Sequence, residues 1–252
     1  MVVIWNPSVR KYVGIVISNV LNSVDRYTCI GFGVCPHTND PRLVKINVVH
    51  STWVVEVFVL SKRVWKTVYT GTQFKSCEFT TFHVSIDGII YWRTVGLDGG
   101  LGFNYIISFD LKREKFGEVS LSGRLARAHD LVVAKVNESL RLLEYYNEGE
   151  ISVSGVWMMK DGVHTPFTKI YSVKVEGQFN SFSGYWKTVL GFRNNGEVVL
   201  EMEDDNDIAV KIYEPSSGRI NGLGITNKYV GFSAVSYMES LLLLHESNSI
   251  IH

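Results

Sequence analysis

The chain has 252 residues, of which 46% are hydrophobic and 12% aromatic, and its 25 basic and 25 acidic side chains leave no formal net charge. That apolar content excludes a disordered chain, and the charge balance removes the electrostatic footprint of a nucleic-acid or anionic-membrane binder. Three cysteines, Cys29, Cys35 and Cys77, are too few and too odd in number for a disulfide framework. They point to a reducing compartment, the cytoplasm or the nucleus. The start of the chain shows neither the basic region nor the cleavage site of a signal peptide. Its longest uncharged apolar stretch, Tyr12 to Val24, is too short and too polar to span a bilayer.

Residues 2–6 and 12–17 read as two strands joined at Asn6-Pro7-Ser8, where Pro7 presets a turn. A four-strand unit follows at 26–34, 42–49, 53–60 and 65–69. The next unit uses 78–84, the Asp87-Gly88 turn, 89–95, 105–110 and 116–121. Asp-Gly between apolar strands is a strong hairpin signal. A third unit runs through 131–136, 140–146, 151–159 and 167–173, and a fourth through 187–192, 197–202, 208–213 and 219–224. A last strand pair, 230–235 and 240–246, completes the count. Helix signals are weak, and 122–130 holds at most one turn.

The same construction recurs: an apolar strand, a short polar turn, and a large residue opening the next strand. Tyr12, Trp65, Phe116, Phe167 and Ile220 mark it, at spacings of 53, 51, 51 and 53 residues. A period near 50 is that of kelch-like propeller blades. The expected fold is therefore all-β, one domain over residues 1–252, a propeller-like ring of about five four-stranded blades. One blade would be shared by the first and last strand pairs; an open arc is the alternative. Short turns join the first to the second strand and the third to the fourth in each unit. The longer, more irregular connections fall on the opposite rim, where function is expected to sit.

No catalytic, cofactor or metal motif stands out. The glycine-rich 96–102 lacks the Lys-Ser/Thr of a phosphate loop, and 201–207 lacks the glycine and terminal glutamate of a calcium loop. The seven histidines are scattered, without HExxH or CxxC company. The rim aromatics are the candidate binding residues: Phe182, Tyr185 and Trp186 in the stretch 178–186, with Trp53 and Phe103 on other rim loops. Aromatic residues dominate interface hot spots. The alternative for Trp186 is an inward fold that caps the core. Trp5, Trp65 and Trp157 read as blade-packing residues.

Several motifs in order resemble the F-box-associated domain of plant F-box proteins, over nearly the whole chain. They are Trp5-Asn6-Pro7-Ser8 with Tyr12; Gly31-Phe32-Gly33 with Thr38-Asn39-Asp40; Ser108-Phe109-Asp110-Leu111 with Phe116; Val156-Trp157-Met158-Met159-Lys160; Leu190-Gly191-Phe192-Arg193-Asn194-Asn195-Gly196-Glu197; and Tyr237-Met238-Glu239-Ser240-Leu241. The resemblance implies a non-enzymatic interaction domain that holds the protein to be ubiquitinated by an SCF-type ligase. No F-box precedes Trp5, so a Skp1-type adaptor is an expected partner only through an upstream F-box. The competing class is a carbohydrate-binding or hydrolytic propeller, which would need convergent carboxylates or an arginine cluster.

Overall fold

The computed structural model describes residues 1–18, 20, 22–23, 26–50, 52–72, 74, 77–96, 102–121, 123–159, 167–176, 189–204, 207–228, 232, 240–243 and 248–251. Apart from the single turn α1 (Gly123–Ala126) and a 3-10 turn at Leu60–Lys62, its regular structure is strand, in five sheets. The chain divides into two units, Met1–Gly31 with Asp40–Phe74 and Tyr237–His252, and Phe32–Asn39 with Lys75–Ser236.

In the first unit, β1 (Val2–Asn6) and β2 (Lys11–Ile15) form an antiparallel pair, and β20 (Ser249–Ile251) adds to β2 in parallel. Both ends of the chain thus contribute to one sheet, as expected. The contribution differs from the expected strand pair. Among the described residues, 240–243 runs into a turn, with Leu243 at positive φ, instead of continuing as a strand. The Asn6 amide nitrogen donates to the carbonyls of Ser240 (3.0 Å) and Leu242 (2.5 Å), which anchors this segment against the end of β1. The second sheet runs β3 (Asn22–Ser23), β4 (Arg26–Cys35), β5 (Asp40–Val49), β6 (Thr52–Val59) and β7 (Val64–Thr72). Lys45 is buried within it, paired with Glu56 at 2.5 Å and lying 5.2 Å from the Trp65 ring centroid. Its charge is tolerated because it is paired.

The second unit holds three four-stranded antiparallel sheets. They are β8 (Cys77–Ile86), β9 (Ile89–Gly96), β10 (Asn104–Asp110) and β11 (Lys115–Val119); β12 (Asp130–Val136), β13 (Ser139–Glu148), β14 (Ile151–Met159) and β15 (Phe167–Glu176); and β16 (Val189–Phe192), β17 (Val198–Asp204), β18 (Asp207–Glu214) and β19 (Arg219–Asn227). Their first strands are neighbours, with β12 against β8 on one side and β16 on the other. Ile86, Ile106, Leu131, Val133 and Leu142 fill one intersheet core, and Leu143, Val156, Val189 and Leu200 the next. Each sheet uses one face for each neighbour, so these strands are apolar on both sides. The tip of β4 lies in this unit. The Phe32 amide donates to His83 Nε2 (3.0 Å), and a Cβ on Gly33 would stand 2.5 Å from Ser85 Oγ. The Phe-Gly part of the Gly-Phe-Gly motif is therefore a packing device.

The repeat itself has a structural cause. Trp5 pairs with Tyr12, Phe58 with Trp65, Phe109 with Phe116 and Tyr213 with Ile220, each on the penultimate rung of a third-to-fourth-strand hairpin. The Phe109 and Phe116 rings meet edge-on at 5.0 Å and those of Phe58 and Trp65 at 5.3 Å, cross-strand aromatic pairs that stabilise the rung. Phe167 sits one rung further out, opposite Met159.

Candidate binding cleft

Among the described residues of the second unit, the ends of longer connections line a cleft of about 380 Å3. Phe103, Asn104 and Tyr105, where the chain enters β10, form one wall; Leu121, Gly123, Ala126 and Arg127, at and around α1, form the other. Described residues of two expected rim connections, 96–104 and 122–130, thus line it together, Phe103 among them. The loop closes through the Gly96 amide on the Phe103 carbonyl (2.7 Å).

A helix of one turn has no intrinsic stability, so α1 must be held by its surroundings. Leu125 is buried in the core between the two flanking sheets. Asn104, itself buried, donates both amide hydrogens to the helix end, to Leu125 O (3.0 Å) and Ala128 O (2.7 Å). Arg93 fixes the amide's orientation by donating Nε to Asn104 Oδ1 (2.8 Å). Its other nitrogens reach Leu131 O (3.0 Å) and His129 O (3.1 Å). Burial pushes the Arg93 guanidinium below its ordinary pKa, partly offset by Asp130, while five donors remain available for carbonyls. On the other side of α1, Arg124 is bonded to buried Glu144, which also accepts Trp157 Nε1–H (3.2 Å). The Arg124 guanidinium carbon stacks 3.8 Å from the Tyr146 ring centroid, and its pKa is raised chiefly by the hydrogen bond to Glu144.

Arg93 and Glu144 hold the same register position on the second strands of their sheets, opposite Ile106 and Gly155, four residues before the third strand ends. Glu201, opposite Val210, is the equivalent in the third sheet, and its carboxylate accepts the Phe232 amide beyond β19. Sequence reading missed this position because the charge changes sign along it, Arg in one sheet and Glu in the other two. The signal was a charged residue inside an otherwise apolar second strand.

Arg127 stands apart. Its guanidinium carbon lies 5.7 Å from the Phe103 ring centroid, and it makes no ion pair among the described residues, while neighbouring Arg124 and His129 have acidic partners. The cleft therefore combines aromatic and aliphatic side chains with the polar Asn104, and carries the exposed cation of Arg127 at its edge.

The other candidates divide. Trp53 is not on a rim loop. It lies in β6 and is wholly buried, on the same inward phase as Val55 and Val57, so it packs the core. Phe182, Tyr185 and Trp186 lie outside the described residues. Trp157 and Trp65 are partly buried, as packing residues should be, but Trp5 is 64% exposed on the outer face of β1 beside Tyr12. No group of three or more His, Cys, Asp or Glu among the described residues is arranged to hold a metal.

Comparison with known proteins adds three findings. The family model of the F-box associated beta propeller domain matches residues 1–244. F-box protein CPR1 of Arabidopsis thaliana is 24% identical over 202 residues, covering 75% of this chain and 47% of that protein. The chain thus spans less than half the length of the curated relative it matches. Among solved structures, TolB from Acinetobacter baumannii superposes with a TM-score of 0.42 at 12% identity, over 81% of this chain and 44% of that one.

Proposed function

Since this chain belongs to the F-box associated beta propeller domain family, we propose that it is a protein-recognition domain that selects substrates for an SCF-type ubiquitin ligase. It acts by binding, without catalysis. The observation that carries the reading is the cleft itself: Phe103 and Tyr105 line one side of it, and the connection around α1 lines the other, held through its backbone carbonyls by Asn104 and Arg93. A connection fixed in one shape lowers the ordering cost of association. The charged second-strand residues Arg93, Glu144 and Glu201 are each committed to holding a connection, which favours binding over a hydrolytic centre. A Skp1-type adaptor is a partner only where an F-box accompanies the domain. The buried thiols of Cys29, Cys35 and Cys77, none of them in a disulfide, suit a cytoplasmic or nuclear site of action.

Photocrosslinking in plant cells tests this. A benzophenone side chain replaces Phe103 or Glu150, on the connections between second and third strands, or Arg113, on a turn at the other end of the strands. Protein adducts are expected from position 103 or 150 and not from 113. Adducts from none of them, or from 113 alone, would overturn the reading. The purified chain should also fail to form a complex with a Skp1-type adaptor in gel filtration.

A further inference from the structure

Resting on that protein-binding reading, we infer that the cleft between β10 and α1 takes an aromatic side chain of its partner with a carboxylate immediately beside it. Phe103, Tyr105, Leu121 and Ala126 supply the aromatic and aliphatic lining. At about 380 Å3 the space falls at the small end of ligand pockets, about 300–1,000 Å3, which suits one or two side chains. The charge argument selects the neighbour. Arg124 is bonded to Glu144, His129 is 3.2 Å from Asp130, and Arg93 is spent on carbonyls and Asn104, whereas Arg127 has no acidic partner among the described residues. Its guanidinium lies over the Phe103 ring, at the wall an aromatic guest would stack against. A guanidinium held on an aromatic face keeps its planar edge free for a carboxylate, which it binds through paired N–H donors. An apolar pocket beside an unmatched cation therefore specifies aromatic-plus-acid, and a purely apolar or basic peptide meets one requirement or neither.

The test uses fluorescein-labelled pentapeptides, read by polarisation on the full chain: Gly-Ser-Phe-Glu-Gly, its Phe-Gln counterpart and its Ala-Glu counterpart. The Phe-Glu peptide should bind at least about tenfold tighter than either counterpart at low salt, and its lead over Phe-Gln should shrink as salt screens the charge. Arg127→Gln should erase that lead. Arg127 is exposed, so this variant should melt like the parent. Leu121→Glu, should it fold, should abolish both Phe-containing complexes. Equal binding of Phe-Glu and Phe-Gln, no measurable binding at millimolar peptide, or an Arg127→Gln chain that still prefers Phe-Glu would overturn the inference. The crosslinking separates the two readings: adducts from position 150 with no peptide preference leave the recognition role standing and remove this occupant, and adducts from no rim position remove both.

Discussion

At the residue scale, several signature residues have local, mechanical duties. Asp110 Oδ1 accepts the amides of Lys112 (2.8 Å) and Arg113 (2.9 Å), and Asn6 Oδ1 accepts that of Ser8 (3.0 Å), so both shape the turn after a third strand. Asp110→Ala should cost about 1–2 kcal/mol in chemical denaturation, the worth of hydrogen bonds to a charged acceptor. Asn6→Ala should cost more, because its amide also holds the Ser240 and Leu242 carbonyls. Gly33→Ala places a methyl against Ser85 Oγ and within 2.9 Å of Leu111 Cδ1, an overpacking expected to cost about 1–3 kcal/mol. His83 gives a pH signature. Burial lowers its pKa below the ordinary 6.5, and in the neutral state its Nε2 accepts the Phe32 amide. A lowered folded-state value means that the unfolded chain takes up the proton first. Its contribution is therefore intact above about pH 6.5 and declines as pH falls from there to the folded-state pKa. Denaturation midpoints between pH 7.5 and 5.5 should show the decline, and His83→Gln should flatten it.

At the element scale, what the sequence betrays is local and what it hides is distant. The strands of the second unit follow from alternation and turn residues: Asp87 and Gly88 both take positive φ, and Glu114, ahead of β11, is left-handed like Arg10 and Arg63 ahead of their strands. Register made the period visible, because one aromatic rung recurs at each hairpin. β20, by contrast, is three residues with no alternation, paired in parallel with a strand more than 230 positions away. Trp53 was legible: its phase with Val55 and Val57 puts all three on one face of β6, and the start of that strand at Thr52 takes it off the loop. The exposure of Trp5 was not, since its strand alternates as a packing strand would. α1 is the single turn that 122–130 allowed, and what holds it, Asn104 and Arg93 on other strands, is not legible locally. Asn104→Ala should therefore cost about 2–3 kcal/mol by leaving buried carbonyls unpaired, and amide exchange across 123–128 should quicken far more than across β13.

At the scale of the whole molecule, zero net charge leaves recognition to local contrasts. Removing 249–251 exposes the edge of β2 in the sheet that also carries β1. The melting temperature should fall by at least about 2–4 °C, the equivalent of roughly 1 kcal/mol in a chain of this size. The shared register of Arg93, Glu144 and Glu201 bears on how such a scaffold can be re-engineered. Two connections are tethered from second strands in this way, by a cation that grips carbonyls or an anion that grips donors. A transplanted loop would keep its shape only if its tether travelled with it. The natural cassette for altering specificity is therefore a discontinuous pair: the graft and one matched charge from a separate part of the polypeptide.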